Sequence, residues 1–208
     1  MVPILKKDTK QLHEAYYNPS KPGSFGGIQA LSRTTGLPAK TIIPWLQEQE
    51  TYTLHKSVRR RYPRERIIVD DIDAQWEADL VDLSGISRLN QQYKFLLTVI
   101  DVLSKYAWAV PLKDKTGDSI IRAFQLIFKK DHRQPRYLRT DKGGEFVNQK
   151  FQKYLKEKGI HFFTSNNETK AAVVERFNRT LKNRMWKYFS ANDTRRYTDV
   201  FISTVGKL

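Results

Sequence analysis

Three acidic residues of this sequence occupy positions at which carboxylates could bind a metal ion and take part in catalysis. Asp79 lies inside an apolar run, Asp141 ends a short segment just before Gly143-Gly144, and Glu175 lies on a later basic stretch. Charged side chains within apolar strands destabilise a fold unless they are paired or bind metal. Carboxylates are the hard oxygen ligands that Mg²⁺ prefers, and a few of them suffice for metal-assisted attack on a phosphodiester. We therefore predict a divalent-metal site, with Asp79, Asp141 and Glu175 as both the catalytic and the metal-binding residues.

Other acids in the same region are better explained by local structure. Asp82 falls on the opposite face of its strand from Asp79. Asp101 ends a strand before a Ser-Lys turn, and we expect it to cap that turn. Glu145 follows the glycine turn, where we expect it to pair with the local backbone or with Lys142. Glu145 is the substitute if one of the three catalytic assignments fails.

The helix that carries Glu175 also carries a cationic stripe. Asn178, Arg179 and Lys182 follow Glu175 at positions i+3, i+4 and i+7, which puts them on the same side of a helix. Such a stripe is usually a solvent-exposed surface, but beside metal-binding acids it would hold phosphates and steer a DNA end. We therefore predict that these three residues, with Lys170 just before the helix, bind DNA.

Eight predicted elements must position these acids. Aromatic and branched residues with a period of two predict strands, and apolar stripes predict helices, the first of them capped by Thr116. The first three strands are joined by short connections, which predicts an antiparallel meander. The whole order predicts an α/β fold, a mixed five-stranded sheet flanked by helices. The elements are strands 75–83, 93–102 and 106–112, a helix from about 116, strand 137–140, helix 146–158, strand 160–164 and helix 171–189.

The composition limits the classes of partner and metal site that the protein is expected to have. A net charge of +15 favours a polyanionic partner, nucleic acid before membrane. No apolar run approaches the roughly 18–20 residues of a membrane helix, and the N-terminus does not resemble a secretory signal. The absence of cysteine excludes disulfides, cysteine-ligated zinc and thiol nucleophiles, and the four scattered histidines do not favour zinc either. We expect an intracellular protein, nuclear if its host is eukaryotic, with no membrane contact and no zinc.

The N-terminal part reads as a separate module. Residues 1–26 are polar and broken by Pro and Gly, so a loose lead-in is expected. Residues 27–49 predict a helical pair, with a base-reading helix-turn-helix as the less favoured interpretation. The charge run 59–66 is either a solvated linker or a phosphate-binding or nuclear-address segment. The predicted divisions are a helical module 1–56, a basic linker 57–72, a catalytic core 73–192 and a helical extension 193–208 that we expect to be truncated.

Three blocks of the sequence resemble the catalytic core of DDE integrases of the retroviral superfamily. Trp-Glu-Ala-Asp-Leu at 76–80 resembles the motif of the first Asp, and Thr-Asp-Lys-Gly-Gly-Glu-Phe at 140–146 resembles the block of the second. Val-Glu-Arg-Phe-Asn-Arg-Thr-Leu-Lys at 174–182 resembles the helix that bears the Glu. The segments 52–56, 79–83 and 100–117 look most like Maverick/Polinton integrases.

This resemblance implies a ribonuclease H-like sheet, in which the first and fourth strands lie side by side and bring Asp79 to Asp141. It implies a polynucleotidyl transferase, dependent on Mg²⁺ or alternatively Mn²⁺, that processes element DNA ends and joins them to target DNA as a homo-oligomer. It also implies that Arg179 and Lys182 contact DNA, and that 165–170 is a mobile active-site loop. The cysteine-containing zinc module of retroviral integrases has no counterpart here. Two alternatives stay open, a non-catalytic DNA-binding protein and a plain ribonuclease H-like nuclease.

Overall fold

The computed structural model describes residues 5–55, 68–164 and 171–198. They form two compact units, one of residues 5–55 with 180–198 and the other of residues 68–164 with 171–179. The last helix is shared between the units, whereas the predicted core 73–192 kept it whole. The predicted charge run 59–66, the predicted loop 165–170 and residues 199–208 lie outside the described residues.

The larger unit is built on a five-stranded sheet of order β3-β2-β1-β4-β5. The first three strands pair antiparallel, and β4 joins β1, and β5 joins β4, in parallel. This arrangement confirms the predicted meander and the predicted mixed sheet. The strands are β1 Gln75–Asp82, β2 Phe95–Asp101, β3 Ala107–Leu112, β4 Tyr137–Thr140 and β5 His161–Thr164.

The helices follow the predicted order, with one break. Thr116 caps the first core helix by accepting a hydrogen bond from the Ser119 amide, as predicted. The predicted helix 146–158 is two helices, because Asn148 has an extended backbone and caps the second with its side chain, which accepts from the Phe151 amide. The described helices are α1 Lys6–Tyr17, α2 Ile28–Thr35, α3 Ala39–Glu48, α4 Glu50–Leu54, α5 Gly117–Asp131, α6 Gly144–Val147, α7 Gln149–Glu157 and α8 Ala172–Asn192. Across the described ranges, none of them has the length and apolar character that a bilayer crossing requires.

Strand β1 presents two chemically different faces. On one face Trp76 packs against Trp108 and Phe128, with ring centroids 4.2 and 5.9 Å away. On the other face lie Glu77 and Asp79, which meet α8. Successive side chains of a strand point to opposite faces, so the aromatic core lies on one face of β1 and the acids lie on the other.

A polar cluster holds the edge of the sheet where β1 begins. Arg133 binds Asp73 at 2.6 Å and the fully buried Asp101 at 3.1 Å, and its guanidinium lies over Tyr106 and Trp108. Asp101 also accepts hydrogen bonds from the amide and hydroxyl groups of the turn after β2, which confirms its predicted capping role. The cluster therefore ties β1, β2 and the segment after α5 together.

The smaller unit has its own apolar cluster. The predicted loose lead-in at 1–26 is wrong, because α1 buries Leu12 and Tyr16 completely. Helices α2 and α3 are joined by a short turn that begins at Gly36, whose φ of 73° suits glycine. The helical pair is confirmed, and base reading by it stays a prediction. The buried cluster consists of Leu12, Ala15, Tyr16, Phe25, Leu31, Ile42, Trp45 and Leu46.

Lys187 on α8 is buried in this smaller unit. Its Nζ donates to the Phe25 carbonyl at 3.1 Å and lies 5.0 Å from the centre of the Tyr52 ring. Burial, with a smaller contribution from the positive charge of Arg184, lowers the pKa of Lys187 from 10.5 to about 8. The folded protein therefore holds this proton less tightly than the unfolded chain.

This difference makes stability depend on pH in a defined window. Between pH 8 and 10.5 the unfolded chain carries more of this proton, so the Lys187 contribution to the unfolding free energy rises with pH. We expect this rise to be about 3 kcal/mol in the wild type and to be missing in Lys187→Met. Denaturant unfolding across that range measures it, with exposed Lys40→Met as the control. Parallel pH profiles for wild type and Lys187→Met would contradict the assignment.

Candidate metal-binding active site

Two of the predicted acids meet at one edge of the sheet. Strands β1 and β4 are parallel, and their register pairs Glu77 with Arg139. Two residues further along both chains come Asp79 on β1 and Asp141 just after β4. The parallel pairing thus places these two acids at the same edge of the sheet, the arrangement that the resemblance implied.

The third acid approaches from α8. Asp79 is half-buried, and burial raises the pKa of its carboxyl above the ordinary value, with further increases from the negative charges of Asp141 and then Glu175. Such an effect on Asp79 requires the other two charges to be nearby. Asp141 and Glu175 therefore lie near enough for their charges to act on the Asp79 carboxyl.

Asp79 is held by two hydrogen bonds. Its Oδ1 accepts from the Leu80 amide at 2.8 Å, and its Oδ2 accepts from Nδ2 of Asn178 at 2.6 Å. Asn178 was predicted to bind DNA with Arg179 and Lys182, but its side chain turns inward and only 6 % of it is exposed. We therefore assign Asn178 first to holding Asp79. The charges of Arg179 and Lys182 are exposed, and Lys170 lies outside the described residues.

The turn after β4 is shaped by one of its two glycines. A Cβ on Gly143 would come within 2.9 Å of Glu145 Oε1 and 3.1 Å of Asp141 Oδ1, whereas a Cβ on Gly144 would meet nothing within 4 Å. Asp141 Oδ1 also accepts from the Gly143 amide at 3.1 Å. Gly143 therefore makes room for the carboxylates of Glu145 and Asp141, and the predicted pairing of Glu145 with the local backbone or Lys142 stays a prediction.

The donor chemistry of this site suits a hard divalent cation. Asp79, Asp141 and Glu175 offer carboxylate oxygens, and a bound cation would offset the negative charges that act on Asp79. In the ranges that the structure describes, no three acidic or histidine side chains stand close enough together to hold a metal ion. Asp79 is thus affected by the charges of Asp141 and Glu175, but the three carboxylates do not form a ready set of metal ligands.

A fourth acid, Glu77, was not singled out from the sequence. It is completely buried, and its Oε2 accepts from the amides of Val173 and Val174 at 2.9 and 3.0 Å. Its Oε1 lies 3.7 Å from Nη1 of Arg139. The available signal was its position two residues before Asp79, which a period of two places on the same strand face.

Comparisons with known proteins find sequences similar to this chain. Residues 72–169 match the family model of the integrase core domain. An uncharacterised transposon-derived protein of Caenorhabditis elegans is 36 % identical over 123 residues, which are 59 % of this chain and 43 % of that protein. A Ty1 Gag-Pol polyprotein of Saccharomyces cerevisiae is 34 % identical over 98 residues, 44 % of this chain and 6 % of the polyprotein. The chain thus spans less than half of the length of each of these two relatives.

Solved structures share the fold. The HTLV-2 integrase catalytic core domain, in complex with magnesium, has a TM-score of 0.52 and 24 % identity, covering 64 % of this chain and 83 % of that one. A chain of the simian T-cell lymphotropic virus intasome in complex with PP2A regulatory subunit B56 gamma has a TM-score of 0.59 and 22 % identity, covering 90 % and 67 %. Together with the sheet order, these matches show a ribonuclease H-like fold, and residues 72–169 are similar to the integrase core domain family.

Proposed function

We propose that this protein is a transposon integrase of the Maverick/Polinton type. It would process the 3′ ends of element DNA and transfer them into target DNA. The observation that carries the proposal is the placement of Asp79 on β1 and Asp141 just after the parallel β4, with the charge of Glu175 on α8 also acting on Asp79. The region similar to the integrase core domain, residues 72–169, contains the first two of these acids. In the first step, water attacks a phosphodiester near the element end and releases a 3′-hydroxyl. In the second, that hydroxyl attacks a target phosphorus in line and displaces a target 3′-oxygen, so one phosphodiester forms as one breaks.

Asp79, Asp141 and Glu175 are the residues that would hold the divalent ions, with Mg²⁺ preferred and Mn²⁺ able to replace it. When bound, such ions activate the attacking oxygen and stabilise the leaving one. The chain itself holds Asp79 in place through Asn178 and the Leu80 amide, and it keeps Asp141 at the turn through the Gly143 amide. These contacts fix two of the three acids before substrate arrives.

The proposed partners are element DNA ends and target DNA. The net charge of +15 and the exposed charges of Arg179 and Lys182 support binding to phosphates, and we propose the same role for Lys170. The HTLV-2 core is described in dimeric and trimeric forms, which supports a homo-oligomer holding two DNA ends. Action on chromosomal DNA of a eukaryotic host would place the protein in the nucleus.

The decisive experiment incubates the protein with labelled duplex element ends, target DNA and Mg²⁺. We expect covalent joining of the labelled 3′ end to target DNA, and loss of joining in Asp141→Asn and Glu175→Gln. Binding of DNA without any reaction would favour a non-catalytic DNA-binding protein. Cleavage without joining would favour a plain nuclease.

The two neighbouring glycines allow a matched test of the site. In Gly143→Ala the new Cβ should push away the Glu145 carboxylate and disturb Asp141, because both lie within 3.1 Å of it. Misplacement of a reacting group by about 1 Å can slow a reaction severely, so we expect joining to fall roughly 10- to 100-fold. Stability should change little, since the Glu145 carboxylate is the mobile end of a flexible side chain. Gly144→Ala is the control, and equal joining rates for the two variants would contradict this role of Gly143.

A further inference from the structure

Glu77 lies on β1 next to the acids of the proposed site. It precedes Asp79 by two residues on β1, so both side chains leave the same face of the strand. No part of Glu77 is exposed, and the site chemistry proposed above does not use it. A fully buried carboxylate next to an active site must be explained by what it contacts.

The first contact is with the helix that carries Glu175. Helix α8 starts at Ala172, and the amides of Val173 and Val174 in its first turn both donate to Glu77 Oε2. Amides of a first turn have no partner within their own helix, and the helix dipole favours a negative charge there. A side chain of β1 therefore caps α8 immediately before Glu175 and sets where the helix begins.

The second contact is with the strand that leads to Asp141. Glu77 Oε1 lies 3.7 Å from Nη1 of Arg139, and the β1–β4 register pairs these same two residues. Arg139 precedes Asp141 by two residues, as Glu77 precedes Asp79. The pair thus joins β1 to β4 two residues before Asp79 and Asp141.

We propose that Glu77 is a positioning residue, one carboxylate that sets the relative placement of Asp79, Asp141 and Glu175. Glu77 belongs to β1, which bears Asp79, and it pairs with Arg139 of β4, the strand that leads to Asp141. It also accepts from two amides of α8, the helix that bears Glu175. The inference deepens the proposed function and rests on it for the meaning of that placement. Glu77 acts through the backbone of β4 and α8 and touches neither DNA nor the reacting atoms.

Stability alone does not account for a carboxylate at this position. Replacing a buried ion pair by apolar side chains of similar volume is often neutral or stabilising. Among the described residues, Glu77 Oε1 receives no hydrogen bond, which is costly for a buried oxygen. An apolar side chain could not accept the two hydrogen bonds that amides of α8 donate to Glu77.

The test uses the intact chain with Glu77→Gln and Glu77→Met. Gln keeps the size and one acceptor but loses the charge, and Met keeps the length and loses both. The readouts are the far-UV circular dichroism spectrum, hydrogen exchange of the Val173 and Val174 amides, Mn²⁺ affinity by calorimetry, and joining as a function of Mn²⁺ concentration. Glu157→Gln, an exposed substitution on α7, is the matched control.

For Glu77→Gln we expect a native spectrum and about tenfold faster exchange of both amides, because a charge-assisted bond becomes a neutral one. Mn²⁺ affinity should fall about 10- to 100-fold, as when a group that orients metal ligands is lost. Joining should be slow at low Mn²⁺ and should recover in large part at high Mn²⁺. General destabilisation of the fold would not produce this dependence on Mn²⁺ concentration. In Glu77→Met we expect still faster exchange of the Val173 and Val174 amides. If the Gln variant does not fold, the same measurements are made on the Met variant.

Two results would overturn the inference. Exchange of the Val173 and Val174 amides equal to that of wild type and Glu157→Gln would show that Glu77 does not hold α8. Unchanged Mn²⁺ affinity despite faster exchange would show that α8 is held without consequence for the acids. A wild type that neither binds Mn²⁺ nor joins DNA would instead refute the proposed function, and amide exchange would then still decide whether Glu77 sets the start of α8.

Discussion

Asp79→Asn should fold more stably than the wild type in the absence of divalent ions, while joining DNA ends on the order of 10³-fold more slowly. The gain in stability comes from relief of repulsion, because Asp79 is half-buried and faces the charges of Asp141 and Glu175. The loss of joining comes from removal of a proposed metal ligand. Sites that assemble like charges commonly trade stability for activity in this way.

The hydrogen bonds around residue 79 can survive this change. Asn178 Oδ1 is buried and has no hydrogen-bond partner among the described residues. If the Asn178 amide turns over, this oxygen can accept from the new amide at position 79, and the bond from the Leu80 amide can remain. Electrostatic relief is therefore not offset by a lost hydrogen bond.

Thermal unfolding with and without Mg²⁺, together with the joining assay, measures both effects. Asp82→Asn is the control, because Asp82 lies exposed on the opposite face of the same strand. We also expect Mg²⁺ to raise the melting temperature of the wild type but not of Asp79→Asn. Joining by Asp79→Asn at the wild-type rate would refute the catalytic assignment, and a lower melting temperature without Mg²⁺ would refute the repulsion.

Arg133→Met should lower the free energy of unfolding by about 3 kcal/mol, a large share of the stability of a domain of this size. Arg133 binds both Asp73 and Asp101, and Asp101 has no exposed surface, so the variant would leave a buried charge without its cation. The hydrogen bond to Asp73 and the charges of Asp73 and Asp101 raise the pKa of Arg133, which keeps it charged.

Arg136→Met is the matched control for this prediction. Arg136 also pairs with an aspartate, Asp70, but at 3.2 Å with both side chains largely exposed. Solvent screens exposed pairs of this kind, and they contribute little to stability. Denaturant unfolding of the two variants compares the pairs directly, and equal losses would show that burial of Asp101 is not the deciding factor.

Much of the core unit was predictable because its strands carry strong local signals. Period-two patterns with aromatic residues located β1 to β5 within one or two residues. The acids of the site could be selected because each interrupts an apolar or basic pattern. Their convergence depends on the parallel pairing of β1 with β4, which followed from the resemblance of the element order to a known fold.

The remaining features depend on contacts between distant segments. Helix α1 was missed because its buried stripe is short and its flanks are rich in Pro and Gly. Asn178 looked like part of a cationic surface, since nothing in its own helix indicates that Asp79 lies opposite. Glu77 looked like an ordinary strand residue until the start of α8 was placed against β1.

The alternation of Trp76 and Ala78 with Glu77 and Asp79 on β1 also protects the protein against misfolding. A slip of β1 by one residue would turn both carboxylates toward the aromatic core and Trp76 toward the acidic face. A buried, uncompensated carboxylate costs several kcal/mol, so the slipped pairing would be strongly disfavoured. The acids proposed for chemistry thereby also enforce the register in which the strand can fold.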